Sequence, residues 1–425
     1  MTLHKILNYN WMANVYKKKF ATAISGGILL IILIGLMSYG QQEHSRFIAQ
    51  AGEAVCTEYN QTENKINVSC NSTFQDVAQT INDQRIVEKL GNGEYILNAT
   101  LEVDDGVTFE MNSSGPGDNN LQYLKIVDRN GIIVDGKILI DGIKITSWNI
   151  SSNNIVSQDM NGSIRRGYIQ FAASEGSQII NSEFGFLGDV EPGLRGFDLL
   201  GDGDGEPSHD MVIRGNKFHD MWMGFYSNGA YNIVIDGNEY YNNIKYTVDP
   251  HSITHDMNIT NNYIHHNRIG IICSLDCYNI LIEGNEVYHN TEDGIFFSRN
   301  MHDSIARNNH VYNSTTGIMV SESPNNQIYN NTVEGTTSQG INLFNPVLPD
   351  DGVTENNLVY NNTIIKAEKG IVATRSHDNI VQDTTFSDIK SSEYRLSGDS
   401  TLRIRGQDFG SVIISHDSSA TTISQ

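Results

Sequence analysis

From about residue 177 to residue 374 the chain repeats itself every 22 to 24 residues. Each unit reads apolar-x-apolar, then Gly-Asn or Asn-Asn, an apolar pair, a polar turn, and Gly-Ile-x-x-Ser. The stretches 233–252, 257–274, 280–298, 304–321 and 327–344 carry the pattern, and Gly270, Gly294, Gly317 and Gly340 fall 24, 23 and 23 residues apart. A fixed period of this size means stacked units that bury their apolar faces on one another, not a compact domain of unique elements. One unit breaks the rule. Where the turn glycine belongs, the chain reads Tyr246-Thr247-Val248-Asp249-Pro250-His251. A regular scaffold that departs from its own pattern with Tyr, Asp and His does so first at a site of function.

Helical repeats would need long segments of 3.6 period, which are absent. Short β-branched runs punctuated by Gly and Asn (95–97, 107–109, 132–134, 138–140 and 143–145) read as strands. Three short strands per coil, stacked parallel at a spacing of ~4.8 Å, make a parallel β-helix. The expected fold is therefore all-β, a right-handed parallel β-helix of 22–24-residue coils behind an N-terminal transmembrane helix. Asn216, Asn238, Asn262, Asn285, Asn309 and Asn331 recur at one turn and are expected to form a ladder, each amide bonding the next coil. Two insertions, 188–208 and 345–354, map to surface loops.

The domain reading runs from a basic cytoplasmic tail (1–20) through an apolar anchor (21–39) and a polar extracellular stalk (40–73) to the β-helix (74–425). The β-helix is expected to open with a helical cap over 73–90 and to end in closing strands after residue 400. Lys17, Lys18 and Lys19 precede the apolar run, so the tail stays cytoplasmic and the rest lies outside the cell. A cleaved signal peptide is the alternative, although no small-x-small site follows the run. Many Asn-x-Ser/Thr sequons, among them Asn60, Asn98 and Asn258, suit an external glycoprotein. Cys56 with Cys70, and Cys273 with Cys277, are each close enough in sequence for a disulfide; buried free thiols are the other reading for the second pair.

A net charge of −22 excludes a nucleic-acid partner, whose phosphates need a basic surface. The partner expected instead is an extracellular polysaccharide or glycan, with the membrane engaged through the N-terminal helix. Period-two alternation puts Val248 and Pro250 inside, so Asp249 and His251 face outward, and Tyr246 sits just before the turn on the same rim. Nine of the 13 histidines lie between His209 and His310. His251 stands apart from them because Asp249 is beside it in the irregular coil.

Tyr-x-x-Asp-Pro-His on a parallel β-helix resembles the mannuronan C-5-epimerases, which typically show Tyr-Gly-Phe-Asp-Pro-His; Thr247 and Val248 stand at the Gly and Phe positions here. The resemblance covers roughly residues 195–374 and is best over 216–298. It implies a polysaccharide-modifying enzyme that inverts carbon 5 of a uronate, with Tyr246, Asp249 and His251 as the catalytic set. Inversion needs a proton removed from one face of the sugar and returned to the other, with the carboxylate neutralised. Arg268, Lys245 or Arg299 would pair with that carboxylate, and Trp222, Tyr226 and Phe296 would stack on sugar faces. His219, His255 and Asp293 complete the candidate substrate contacts. A lyase on the same scaffold, a hydrolase using Asp249 with Asp293 or Glu292, and a non-catalytic glycan-binding envelope protein are the alternatives. No cofactor is required. The acidic stretch 201–206 offers Asp202, Asp204 and Glu206 to a structural calcium ion, and a solvated acidic loop is the competing reading.

Overall fold

The computed structural model describes residues 56–114, 120–157, 162–200, 206–349, 351–406, 410–415 and 417–423. The apolar segment 21–39 lies outside the described residues; among those described, no helix is long and apolar enough to cross a membrane. Among the described residues, nearly every coil contributes one strand to each of three sheets, of 15, 14 and 14 strands, and almost all pairings are parallel. The coil at the centre of the array is typical: Met223–Asn228 in the first sheet, Tyr231–Asp236 in the second, Glu239–Tyr241 in the third, then Tyr246–His251 back in the first.

Apolar side chains alternate into a single continuous core. Phe225, Val248, Ile271, Ile295, Ile318 and Ile341 form one inward file of the first sheet, all fully buried and in register. The corners are held by buried asparagines. Asn238 Nδ2 donates to Asn262 Oδ1 at 3.1 Å and Asn262 Nδ2 to Asn285 Oδ1 at 2.9 Å, while each amide also serves a backbone group of a neighbouring coil. The ladder expected over Asn216 to Asn331 is present and runs on to Asn362. A second ladder, Asn243–Asn267–Asn290, occupies the corner that leads into the first sheet.

The N-terminal cap is shorter than its apolar spacing predicts. Only Phe74–Ile81 is helical, opened by a Thr73–Asp76 capping box and stopped by Asn82 in the left-handed region. The strand Val87–Gly91 then pairs back on Glu94–Leu97, because Ile86 and Val87 bury on the core and cannot do so from a continuing helix. Within the expected stalk, Thr57–Asn60 and Lys65–Val68 form a hairpin that starts the first sheet, closed by a Cys56–Cys70 disulfide. Cys273 and Cys277 are buried free thiols. Past residue 400, Thr401–Arg405, Val412–Ile414 and Ser419–Ile423 end the first and second sheets.

Replacing Asn262 by Ala leaves buried N–H and C=O groups of two coils unpaired, at about 1–3 kcal/mol each. Chemical unfolding of Asn262→Ala is expected to show a clearly lowered midpoint, whereas Asn258→Ala on the exposed face of the second sheet leaves it nearly unchanged.

Candidate active site

Tyr246–His251 lies in the first sheet between Met223–Asn228 and Ile269–Ser274. Proline at 250 has no N–H for the ladder, and pairing with Ile269–Ser274 is broken between Val248–Ile271 and His251–Ser274. Val248 fills the core, and Asp249 takes the outward direction, as the alternation predicts. In that outward file Asp198, Tyr226 and Asp249 are successive neighbours, with Phe296, Met319 and Asn342 farther along.

Outward does not mean exposed. Asp249 retains only 1% of its accessible surface, and its Oδ1 has no hydrogen-bond partner among the described residues. Burial pushes its carboxyl well above the usual carboxylate range, against the opposing pull of Arg195 and Arg299. The shift favours the protonated form of the carboxyl, the form that can donate a hydrogen bond. It does not orient His251. That ring is held by Ser252 Oγ, 2.6 Å from Nδ1, and by an Arg299 guanidinium nitrogen, 2.9 Å from Nε2. Guanidinium only donates, so Nε2 is the bare nitrogen and Nδ1 carries the proton toward Ser252. Burial, then Arg299 and Arg195, lower the imidazole pKa to about 4. Tyr246 is half-buried, and burial followed by Asp249 raises its hydroxyl pKa. Its ring has the Lys245 ammonium 5.1 Å from the centroid. One strand thus carries a neutral base at one end and a protonated phenol at the other.

Arg195 and Asp198 belong to this site and escaped the sequence reading. The Arg195 guanidinium lies 3.9 Å from the centroid of Tyr226 and 3.3 Å from Asp198 Oδ2. Burial lifts the Asp198 carboxyl to about 6. The 188–208 insertion and a register shift between Gly196 and Asp198 hide this coil from the repeat alignment. The strongest available signal was an arginine and an acid three residues apart within an insertion.

The other expected contacts divide. Phe296 is partly exposed in the outward file of the first sheet. Tyr226 is 7% exposed, roofed by Arg195, with its ring 5.4 Å from that of His251; it is a wall of the site and not a stacking platform. Trp222 is 6% exposed and is covered by the backbone at Gly162. It lines a cleft of about 530 Å³ beside Tyr246, together with Lys245, Arg268 and Glu292. Arg268 is paired to Glu292 at 2.7 Å. Burial raises Asp293 to about 6. His219 and His255 lie away from the site. His219 is on the third sheet, bonded to Asp220 and Glu183 and stacked on Tyr241 at 4.9 Å. His255 is on the second sheet, stacked between Tyr231 and Tyr278 and bonded to Asp256. Both are rungs of surface His–Tyr columns, where the repeat stacks one ring per coil. Asp202 and Asp204 lie outside the described residues. Glu206 lines a separate cleft with Asp105, Asp135, Glu175 and His209.

A family model described as "Right handed beta helix region" matches residues 199–348 and 304–424, together more than half of the sequence. The chain belongs to the right-handed β-helix family. Within it, this right-handed β-helix is similar to mannuronan C5-epimerases: 25% identical over 213 residues to that of Pseudomonas syringae pv. tomato (47% of this chain, 38% of that protein), and 26% over 167 residues to that of Pseudomonas putida (37% and 32%). It thus spans about a third of the length of the curated relatives it matches. The crystal structure of the periplasmic alginate epimerase AlgG shares the fold, with a TM-score of 0.62 at 18% identity over 84% of this chain and 85% of that one. A single-residue mutant of AlgG superimposes with a TM-score of 0.66 at 19% identity, over 82% and 85%.

A carboxyl whose folded pKa is raised binds its proton more tightly in the folded state, so it favours folding at low pH and opposes it as pH rises. Asp249→Asn removes that penalty. Thermal unfolding is expected to show the variant more stable than the wild type at pH 8, with the gain shrinking toward pH 4.

Proposed function

We propose that this protein is a polysaccharide C-5 epimerase acting outside the cytoplasm on a uronate polymer of the mannuronan type. The observation that carries the reading is the placement, on the irregular coil Tyr246–His251, of an imidazole whose Nε2 meets Arg299 beside a buried Asp249 carboxyl that burial pushes toward its protonated form. Similarity to named mannuronan C5-epimerases supports the substrate class. The Cys56–Cys70 disulfide supports an oxidising, extracytoplasmic setting.

In this reading Arg299 and the Asp249 O–H neutralise the carboxylate of the bound uronate. Nε2 of His251 takes the proton from carbon 5, and the C–H electron pair spreads into the carboxyl group as an enediolate. Tyr246 delivers its hydroxyl proton to the opposite face, which inverts the carbon. No bond but C5–H is broken and remade, so no oxidant or other co-reactant is consumed. The imidazolium and phenolate left behind return to their starting forms by proton exchange with water. Five residues at ~3.3 Å each separate Tyr246 and His251 by roughly 16 Å of strand. Both side chains must therefore lean inward to frame one sugar ring. The net charge of −22 acts at long range and is screened beyond a Debye length of about 8 Å, whereas Arg195, Arg299, Arg268 and Lys245 stand within the site.

Full-length protein incubated with polymannuronate, polyguluronate and polygalacturonate is expected to change the ratio of C-5 epimers in one of them, read by proton NMR of the anomeric signals. His251→Ala should lower that rate by at least a hundredfold. Unsaturated ends absorbing in the near ultraviolet would replace this reading with a lyase. Glycan binding without any change of configuration would replace it with a binding protein.

A further inference from the structure

The two arginines beside His251 are held very differently. Arg195 is fixed: its side chain is anchored on buried Asp198 and lies flat over Tyr226. Arg299 has no ion-pair partner among the described residues, and its one side-chain hydrogen bond is the 2.9 Å contact to His251 Nε2. It leaves the strand Asp293–Ser298 in the left-handed region, at φ 50°, with its N–H bonded to Ser321 O at 3.1 Å. From there the side chain reaches back two coils, ~10 Å at the spacing of stacked strands.

That contact consumes the lone pair a base needs. With Nδ1–H turned to Ser252 and Nε2 capped by a guanidinium, the imidazole as it stands can accept no proton. A carboxylate offers the same guanidinium two charge-assisted bonds in place of one bond to a neutral ring, so it wins the competition. We propose that Arg299 is a carboxylate-operated latch on the base: it caps His251 in the free protein and releases Nε2 when it turns to an incoming uronate. The site then becomes basic only when an acidic sugar is in place, and a neutral sugar leaves it capped. The groups facing His251 are Tyr226 and Arg195 from the N-terminal side, Asp249 on its own strand, Ser252 at the turn and Arg299 from the C-terminal side. Of the two arginines facing the ring, Arg299 is the one with no ion-pair partner among the described residues.

The inference rests on the proposed function only in taking the trigger to be a uronate; the latch itself is a property of the free protein. It is tested on full-length protein labelled with ¹⁵N-histidine, following the titration of His251 by NMR. Free wild type is expected to titrate near pH 4. Arg299→Met, which keeps the volume, and Arg299→Ala should each raise that midpoint by a pH unit or more. Acetate at an ionic strength matched with chloride, or a mannuronate oligomer, should raise it in the wild type and not in Arg299→Met; a neutral mannose oligomer should do nothing. The rising limb of kcat should then lie at higher pH than that of kcat/KM, since the first reports the loaded site and the second the free one. A midpoint unmoved by both Arg299 substitutions overturns the latch whether or not the protein is an epimerase. A midpoint moved by the substitutions but by neither carboxylate overturns the trigger. Failure of the epimerase reading shows separately, as unchanged sugar configuration in a protein whose His251 still responds to acetate.

Discussion

Register between stacked coils is the constraint on which everything else depends. The buried asparagine ladders fix it, because each amide is fully bonded only when neighbouring coils are aligned residue for residue. A slip of one residue would turn the apolar file out to water and orphan the ladder's donors together. With register fixed, side-chain direction becomes a matter of parity. The same lock that puts Val248 in the core puts Asp249 and His251 on the groove side. The solenoid is thus a ruler, and an irregular coil cut into it inherits positions set by its regular neighbours.

Electrostatics then does what sequence order alone cannot. Tyr226 and Arg195 close over the coil from one side and Arg299 from the other, so the carboxyl of Asp249 and the imidazole of His251 lose water while remaining at the groove. Desolvation disfavours the charged form of each, and the shifts are complementary: the carboxyl is pushed toward its protonated form and the imidazole toward its neutral one. The two arginines oppose this for Asp249 and reinforce it for His251, which is why one pair of cations serves both groups.

How much of this could be read from the sequence follows from range. The repeat, the three-strand coil, the asparagine ladder and the outward direction of Asp249 and His251 depend on local periodicity, and all were legible. The burial of Asp249 depends on Arg195, two coils away behind an insertion, and could not be read from spacing. The reach of Arg299 depends on a left-handed turn at a non-glycine residue, which no periodic pattern announces. His219 and His255 misled for the opposite reason. Their clustering is itself periodic, the trace of rings such as His209–Tyr231–His255–Tyr278–His302 stacked 4.7 to 5.5 Å apart. Histidine density marked a scaffold column, and it is the histidine in the irregular coil that lies at the candidate site.

The central claim is that His251 and Tyr246 work from opposite faces of one sugar. Incubating Tyr246→Phe with polymannuronate in deuterated water, and comparing deuterium uptake at carbon 5 with inversion of that carbon, tests it most directly. With its acid removed, the site is expected to wash in deuterium through His251 on the original face while inversion nearly disappears. Inversion and uptake proceeding together at the wild-type ratio would contradict the claim and leave Tyr246 as a wall of the groove.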